Sequence, residues 1–455
     1  MSENNTGFGS DFSWGVSTSA YQVEGGWKEG GKGTSIWDDF TSKKGKTKNG
    51  ENGNNACNYY NLYSQDIALM GKLHIPNYRF SISWSRILPN GIGQVNPAGI
   101  DFYNRVIDYC LELGITPWIT LYHWDLPLEL EKKGGWTNRE IIHWFADFVE
   151  VCVSNFGDRV KNWIILNEPM VFTGAGYFLG VHAPGKKGLT NFLAASHHAA
   201  MCQAEGGRIV RQFVPNARVG TSFSCSLIHP HQKTTKDILA AKRVDALVNR
   251  MFVEPLAGMG YPVKDFKMLR RLEPFIKDGD ESKLAFDMDF IGIQNYTREV
   301  VSHSWRTPFL WAKHLDATRR KVETTDMNWE VYPESMYHML HKFSEYANFK
   351  EIIVTENGAA FPDNFENNKV EDQKRIEYLD QNIHQLLRAK REGVYVKGYF
   401  VWSFTDNFEW AEGFRPRFGL VHVDFETQKR TIKDSGFWYS FFIQNMIHNN
   451  SLMNQ

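Results

Sequence analysis

One pattern, repeated eight times, constrains this chain more than any other feature. A short apolar stretch ends in polar residues, and a helical stretch or long connection follows. The apolar stretches open residues 12–26 and recur at 76–84, 115–124, 160–169, Arg218–Ser224, 290–296, 352–358 and 396–404. Ile352-Ile353-Val354 is typical: three β-branched apolar residues in a row read as a parallel strand buried on both faces. Between the strands, Asn96 is placed to cap a helix with Pro97 at its first position. Its face carries Ile100, Tyr103, Ile107, Cys110 and Leu111, and Gly114 ends it. Thr137-Asn138-Arg139-Glu140 reads as a capping box opening a second helix through Phe145, Phe148, Val149, Cys152 and Phe156 to Gly157. A third, over 371–392, stripes Ile376, Leu379, Ile383 and Leu387 and stops at Gly393.

Strands alternating with helices of this length predict βα units and a parallel sheet. Eight of them, with no linker or low-complexity boundary, predict an α/β fold: a single (β/α)8 TIM barrel over residues 1–455. Its active site should lie at the carboxyl ends of the strands. The competing doubly wound sheet lacks its phosphate loop. Glu24-Gly25-Gly26 and Gly30-Gly31-Lys32-Gly33 fit neither GxGxxG nor a P-loop. Residues 298–330, carrying Trp305, Phe309, Trp311 and Trp329, read as one long loop. It is either functional or a surface hairpin burying its own aromatics.

Lys+Arg number 51 against 52 Asp+Glu, a balance that recruits neither nucleic acid nor an anionic membrane. No window reaches about 18 uninterrupted apolar residues, so no membrane span is predicted. Cys57, Cys110, Cys152, Cys202 and Cys225 are odd in number and lack metal-ligand spacing, which reads as buried thiols in a reducing compartment. The polar stretch 1–6 has no apolar run behind it, so no signal peptide and a cytoplasmic location are expected. His197-His198 invites a metal reading, but adjacent helical residues do not share a face and no acid is spaced to complete a site. No metal or organic cofactor is implied. The fifteen Trp stand out, and indole faces suit the C–H faces of a pyranose.

Polar residues gather at the same ends of the strands: Gln22, Arg79, His123, Asn167, Glu168, Tyr296 and Glu356, with Glu409 past the eighth. A lone strand-end Glu most often simply faces water. In a barrel, however, Glu168 and Glu356 follow strands four and seven, which are expected to face each other. Their carboxyls could then flank one glycosidic bond, as glycoside hydrolysis requires. Arg79 and Tyr296 beside Glu356 would keep it ionised. Glu168, backed by the apolar residues 163–166 and repelled by Glu356, would hold its proton longer.

Thr355-Glu356-Asn357-Gly358, Asn167-Glu168-Pro169, Tyr78-Arg79-Phe80-Ser81-Ile82-Ser83-Trp84, Tyr122-His123-Trp124-Asp125-Leu126-Pro127 and Asp406-Asn407-Phe408-Glu409-Trp410 together resemble the signatures of glycoside hydrolase family 1, the β-glucosidases. The resemblance runs from about Phe12 to Trp438. It implies a retaining, exo-acting β-glucosidase working on small β-glucosides and cello-oligosaccharides. Glu356 would be the nucleophile and Glu168 the general acid/base. Arg79 and Tyr296 would hold the nucleophile, and Asn167 the sugar 2-OH. Gln22, His123, Trp124, Gln294, Trp329, Trp402, Glu409 and Trp410 would bind the sugar, and a cis peptide would follow Trp402. A β-galactosidase or β-fucosidase of the same family is the nearer alternative. A non-catalytic, klotho-like glycan-binding protein is the farther one, disfavoured because both acids are present. The expected partner is a small carbohydrate; oligomeric state stays open, a homo-oligomer included. The chain departs from the family pattern at Gln294-Asn295-Tyr296, where Asn-Tyr-Tyr is usual. It departs also at Met170, Ala175 and Phe414, the first two expected to widen the leaving-group side.

Overall fold

Eight parallel strands close into a barrel: β1 (Ser13–Ser17), β2 (Asn77–Ser81), β3 (Thr116–Tyr122), β4 (Asn162–Asn167), β5 (Arg218–Ser224), β6 (Phe290–Gln294), β7 (Glu351–Asn357) and β8 (Val396–Trp402). Each pairs with the next in sequence, and β8 returns to β1 with Trp14 opposite Tyr399. This computed structural model describes residues 7–453; the polar stretch 1–6 invoked for the absence of a signal peptide lies outside the described residues. A helix follows every strand: α1 (Tyr59–Lys72), α2 (Pro97–Glu112), α3 (Ile141–Phe156), α4 (Leu189–Phe213), α5 (Thr235–Asp245), α6 (Glu334–Ser344), α7 (Gln373–Arg391) and α8 (Asp434–Met453). The fold is a (β/α)8 TIM barrel.

The strands are apolar on both faces because each face has something to meet. Outward residues pack under the helices in one continuous core. Inward, Trp118, Ile164, Phe290, Ile353 and Phe400 form a separate buried plug. Trp118 on β3 meets Phe290 on β6 and Phe400 on β8 at ring distances of 5.6 and 5.1 Å, a contact open only to side chains inside the barrel. Space there is short: a Cβ on Gly220 would sit 2.3 Å from the Phe290 ring. The five cysteines are buried and unpaired. Among the described residues, no helix is long and apolar enough to cross a membrane.

Several local expectations fail for identifiable reasons. Asn96 stands at the start of α2 but does not cap it; its amide donates to the carbonyls of Gly30 and Arg86, tying two loops together. The capping box at 137–140 does not form. Thr137 Oγ1 donates back to Gly134 O and α3 begins at Ile141, because residues 135–137 wind into a 3-10 turn of their own. Leu111, predicted on the buried face of α2, is 41% exposed. The stretch after β6 is no structureless loop. Arg298–His303 and Ala312–His314 pair antiparallel and join Leu227–Pro230 in a three-stranded sheet outside the barrel. That hairpin does not bury its own aromatics: Trp305, Phe309 and Trp311 are all exposed. Finally, sequential order places β8, not β7, diametrically opposite β4; β7 is three strands around.

Candidate active site

Apart from β5, which ends at Ser224 as read, strands β2 to β8 end one to three residues sooner than their apolar runs indicate, so most polar side chains sit on the turns that leave the barrel. Register breaks there too. The β7 ladder to β6 shifts between Val354 and Glu356, and the β4 ladder to β5 shifts between Ile164 and Asn167. Such irregularities re-aim the next side chain. Here they act on the two strands that carry the acids. Backbone φ is positive at Trp124 (78°), Glu168 (47°) and Trp410 (50°), a region costly for non-glycine residues and concentrated at functional sites. The Trp402–Ser403 peptide is cis.

One cavity of about 350 Å³ opens at this end of the barrel, and every predicted site residue lines it except Arg79, Asn167 and Gln294. These three lie fully buried just beneath. Glu356 is gripped from two sides: Arg79 Nη1 donates to Oε1 at 2.5 Å and Tyr296 Oη donates to Oε2 at 2.6 Å. Arg79 also donates from Nε to Thr120 Oγ1 (3.0 Å) and from Nη2 to Asn167 Oδ1 (2.5 Å), so the guanidinium is buried but satisfied.

The two acids of the centre differ in environment. Burial raises the Glu356 pKa above the ordinary carboxylate value, and Arg79 and Tyr296 pull against that rise. Glu168 lies well above its ordinary value because burial and the Glu356 charge both favour its protonated form, with Ser224 and Arg79 opposing only in part. Both acids are shifted upward, but Glu356, with two donors on it, gives up its proton before Glu168, the order that bond cleavage between them needs.

Opposite the acids, Gln22 and Glu409 face the cavity together. Gln22 Nε2 lies 3.0 Å from Asn407 Oδ1, 2.9 Å from Phe408 O and 3.3 Å from Glu409 Oε2, which pins the loop after β8 to the one after β1. Burial, then Glu356, pushes the Glu409 pKa up to about 8. Aromatic walls complete the pocket. Trp402, Tyr296, Trp329, Met327 and Phe418 pack as one cluster, and Trp124 lies tilted against Trp410 at 4.6 Å. Trp124 Nε1 donates to Asn167 O at 2.9 Å. Met327 and Trp329 bring the long excursion after β6 to this wall.

These features match the pattern of a known family across the chain. The model for "Glycosyl hydrolase family 1" matches residues 4–448. The chain belongs to glycosyl hydrolase family 1. This family 1 hydrolase is 44% identical to beta-glucosidase A of Thermotoga maritima, over 98% of each chain. It is 41% identical to beta-glucosidase A of Acetivibrio thermocellus, over 96% of this chain and 98% of that one. The Thermotoga maritima family 1 β-glucosidase solved in complex with deoxynojirimycin superposes with a TM-score of 0.93 at 43% identity, over 98% of this chain and 99% of that one.

Within this family 1 enzyme some expectations change. Gln294 does not reach the cavity; its Nε2 donates to Asn167 Oδ1 at 2.7 Å. Met170 and Ala175 do not line the cavity, so neither widens it directly, whereas Val171 does line it. Phe414 packs against Phe408 and Phe425 instead of facing the site. His182, Ser224, Ser226, Glu299 and Glu412 line the cavity and escaped the sequence reading. Only Ser224, the last residue of β5, carried a signal, its place at a strand end. His197 and His198 are held by structural partners, Asp280 with Tyr261 and the Trp136 carbonyl. Among the described residues Asp363, Asp406 and His422 come close enough to hold a metal, but Lys433 Nζ already lies 2.8 Å from both acids.

Proposed function

We propose that this family 1 hydrolase is a retaining, exo-acting β-glucosidase, the whole chain forming one catalytic barrel. It would remove terminal non-reducing glucosyl residues from small β-glucosides and cello-oligosaccharides. The observation that carries the reading is the asymmetric pair of acids in one cavity. Arg79 and Tyr296 oppose the upward pull of burial on Glu356, whereas at Glu168 burial and the Glu356 charge both favour the proton.

The chemistry follows from that asymmetry. A Glu356 oxygen attacks the anomeric carbon as the bond to the leaving oxygen breaks, and Glu168 gives that oxygen its proton. A covalent glycosyl ester on Glu356 results, and with the Glu356 charge gone Glu168 is easier to ionise. Glu168 then takes a proton from water, whose oxygen displaces Glu356 from the anomeric carbon. Two inversions retain the β configuration. Asn167 would hold the 2-OH, Gln22 and Glu409 the hydroxyls of the terminal sugar, and Trp402 its apolar face. A cavity of about 350 Å³ suits one terminal ring better than a long internal chain segment. Five buried thiols suit a reducing, cytoplasmic setting.

Turnover of nitrophenyl β-glucoside followed by proton NMR tests this directly. The first-formed glucose should be the β anomer, and Glu356→Ala should lose turnover. Added azide should restore it by filling the vacated space, giving the α-glycosyl azide. An α anomer formed first, or a Glu356→Ala variant equal to wild type, overturns the reading. A basic limb of the pH profile unchanged in Glu168→Gln overturns the acid's assignment. A galactosidase or fucosidase activity is the second reading: the Thermotoga maritima enzyme has been solved with galacto-hydroximolactam as well as with gluco-type ligands. The glucoside-to-galactoside ratio of kcat/KM decides between them.

A further inference from the structure

A hydrogen bond has a direction, and around Asn167 that direction is forced. One end of its side-chain amide meets Arg79 Nη2 at 2.5 Å and Gln294 Nε2 at 2.7 Å; the other meets His123 Nε2 at 3.1 Å. A guanidinium has donors and no acceptor, so the atom it touches is the Asn167 oxygen. The Asn167 nitrogen therefore faces His123 and donates to Nε2. That leaves the single proton of the neutral imidazole on Nδ1. Burial, followed by the Arg79 charge, keeps this ring neutral. His123 lines the cavity, and its Nδ1, closed off from solvent, has no hydrogen-bond partner among the described residues.

Gln294 stands at the root of this chain. Arg79 divides its donors among Glu356, Thr120, the Thr355 carbonyl and Asn167. The Gln294 side chain has Asn167 as its one hydrogen-bond partner among the described residues, and its own Oε1, fully buried, meets no donor. Its amide serves a single contact.

We propose that Gln294 is a positioning residue: together with Arg79, its N–H holds the Asn167 amide with oxygen inward and nitrogen toward His123, and so fixes both the aim of that nitrogen and the His123 tautomer. The kinetic half of this proposal rests on the glucosidase reading above; the tautomer half does not.

In protein labelled with 15N-histidine, the His123 signal, assigned by its loss in His123→Gln, should show a protonated Nδ1 and an unprotonated Nε2. The opposite tautomer in the wild-type protein overturns the proposal outright. Gln294→Met keeps the length and removes the donor. Its kcat/KM on nitrophenyl β-glucoside should fall about 100-fold, the scale for one preorganised donor. On the 2-deoxy-glucoside, where the hydroxyl assigned to Asn167 is already missing, the fall should be under about 10-fold. Equal losses on both substrates mean a structural role and overturn it. Gln294→Asn keeps an N–H on a shorter arm and should fall between wild type and Gln294→Met; it serves for the comparison if Gln294→Met does not fold. A wild-type enzyme inactive on both glucosides would sink the glucosidase reading while the tautomer still decides this one.

Discussion

Glu356 loses more to burial than its two partners return, which is why both partners matter. Tyr296 donates one of the hydrogen bonds that oppose the upward shift. Removing it in Tyr296→Phe deletes a bond to a charged group worth about 1.5–3 kcal/mol, or roughly 10–100-fold in rate. The Glu356 pKa then rises, so the acidic limb of the kcat/KM profile should move to higher pH. A pH series on the variant shows the shift; a limb that stays put or moves down contradicts it. Glu409 shows what a raised carboxyl does to stability. Its folded pKa of about 8 stands above the unfolded value near 4.3. Between those values the folded state binds more protons than the unfolded one, so stability falls as pH rises through the window. Glu409→Gln cannot ionise, and its Tm advantage over wild type should grow from about pH 4.5 to about pH 8. Thermal melts at several pH values read this out, and an advantage that is constant or shrinks with pH contradicts it.

At the scale of elements, Asn357-Gly358 shows where residue-type reasoning stops. The pair reads as a turn, yet Asn357 is the last residue of β7. Its side chain donates to Asn295 O at 2.6 Å and accepts from Tyr399 Oη at 2.6 Å, bridging β7 to the segment after β6 and to β8. Gly358 is required for room: a Cβ there would fall 1.8 Å from the Trp402 carbonyl oxygen. Gly358→Ala should cost about 3 kcal/mol in denaturant unfolding, at the upper end of overpacking, and lower kcat by displacing Trp402. An unchanged midpoint would refute the close approach. The same limit explains the other misses. Asn96 is a good capping residue whose side chain was claimed by tertiary partners, and Thr137 one whose hydroxyl was taken by a competing turn onto Gly134. The sheet outside the barrel depends on Leu227–Pro230 pairing with Arg298–His303, strands about seventy positions apart. Strand and helix order was legible because burial on two faces and on one stripe leave different periodicities. Gln294 was expected at the sugar and lies behind Asn167, because sequence reports which strand end a side chain occupies, and not whether it lies in the cavity wall or behind it.

The whole molecule is electrically quiet. Its net formal charge is −1, and the ion pairs of the centre are buried. A neutral glycoside gains nothing from long-range steering, so kcat/KM should vary by less than about twofold between low and high salt. A strong ionic-strength dependence would point to a charged natural substrate. At this scale the sequence was most readable: eight strands in sequential order close only as a ring, and the catalytic groups come together because a ring brings distant chain positions to one mouth. What stayed hidden was depth. The rim residues His182, Glu299 and Glu412 come from long connections whose paths depend on one another and on no periodicity of their own.

The left-handed backbone at Trp124, Glu168 and Trp410 has an evolutionary edge. Glycine or asparagine at Glu168 would relax the main chain and so raise heat resistance while deleting a group the chemistry needs, whereas at Trp124 or Trp410 the cavity left by a buried indole would outweigh the relief. A laboratory selection rewarding survival at high temperature, with no demand for turnover, would therefore find one of its readiest gains inside the catalytic mouth. Such a lineage should lose its chemistry before its shape.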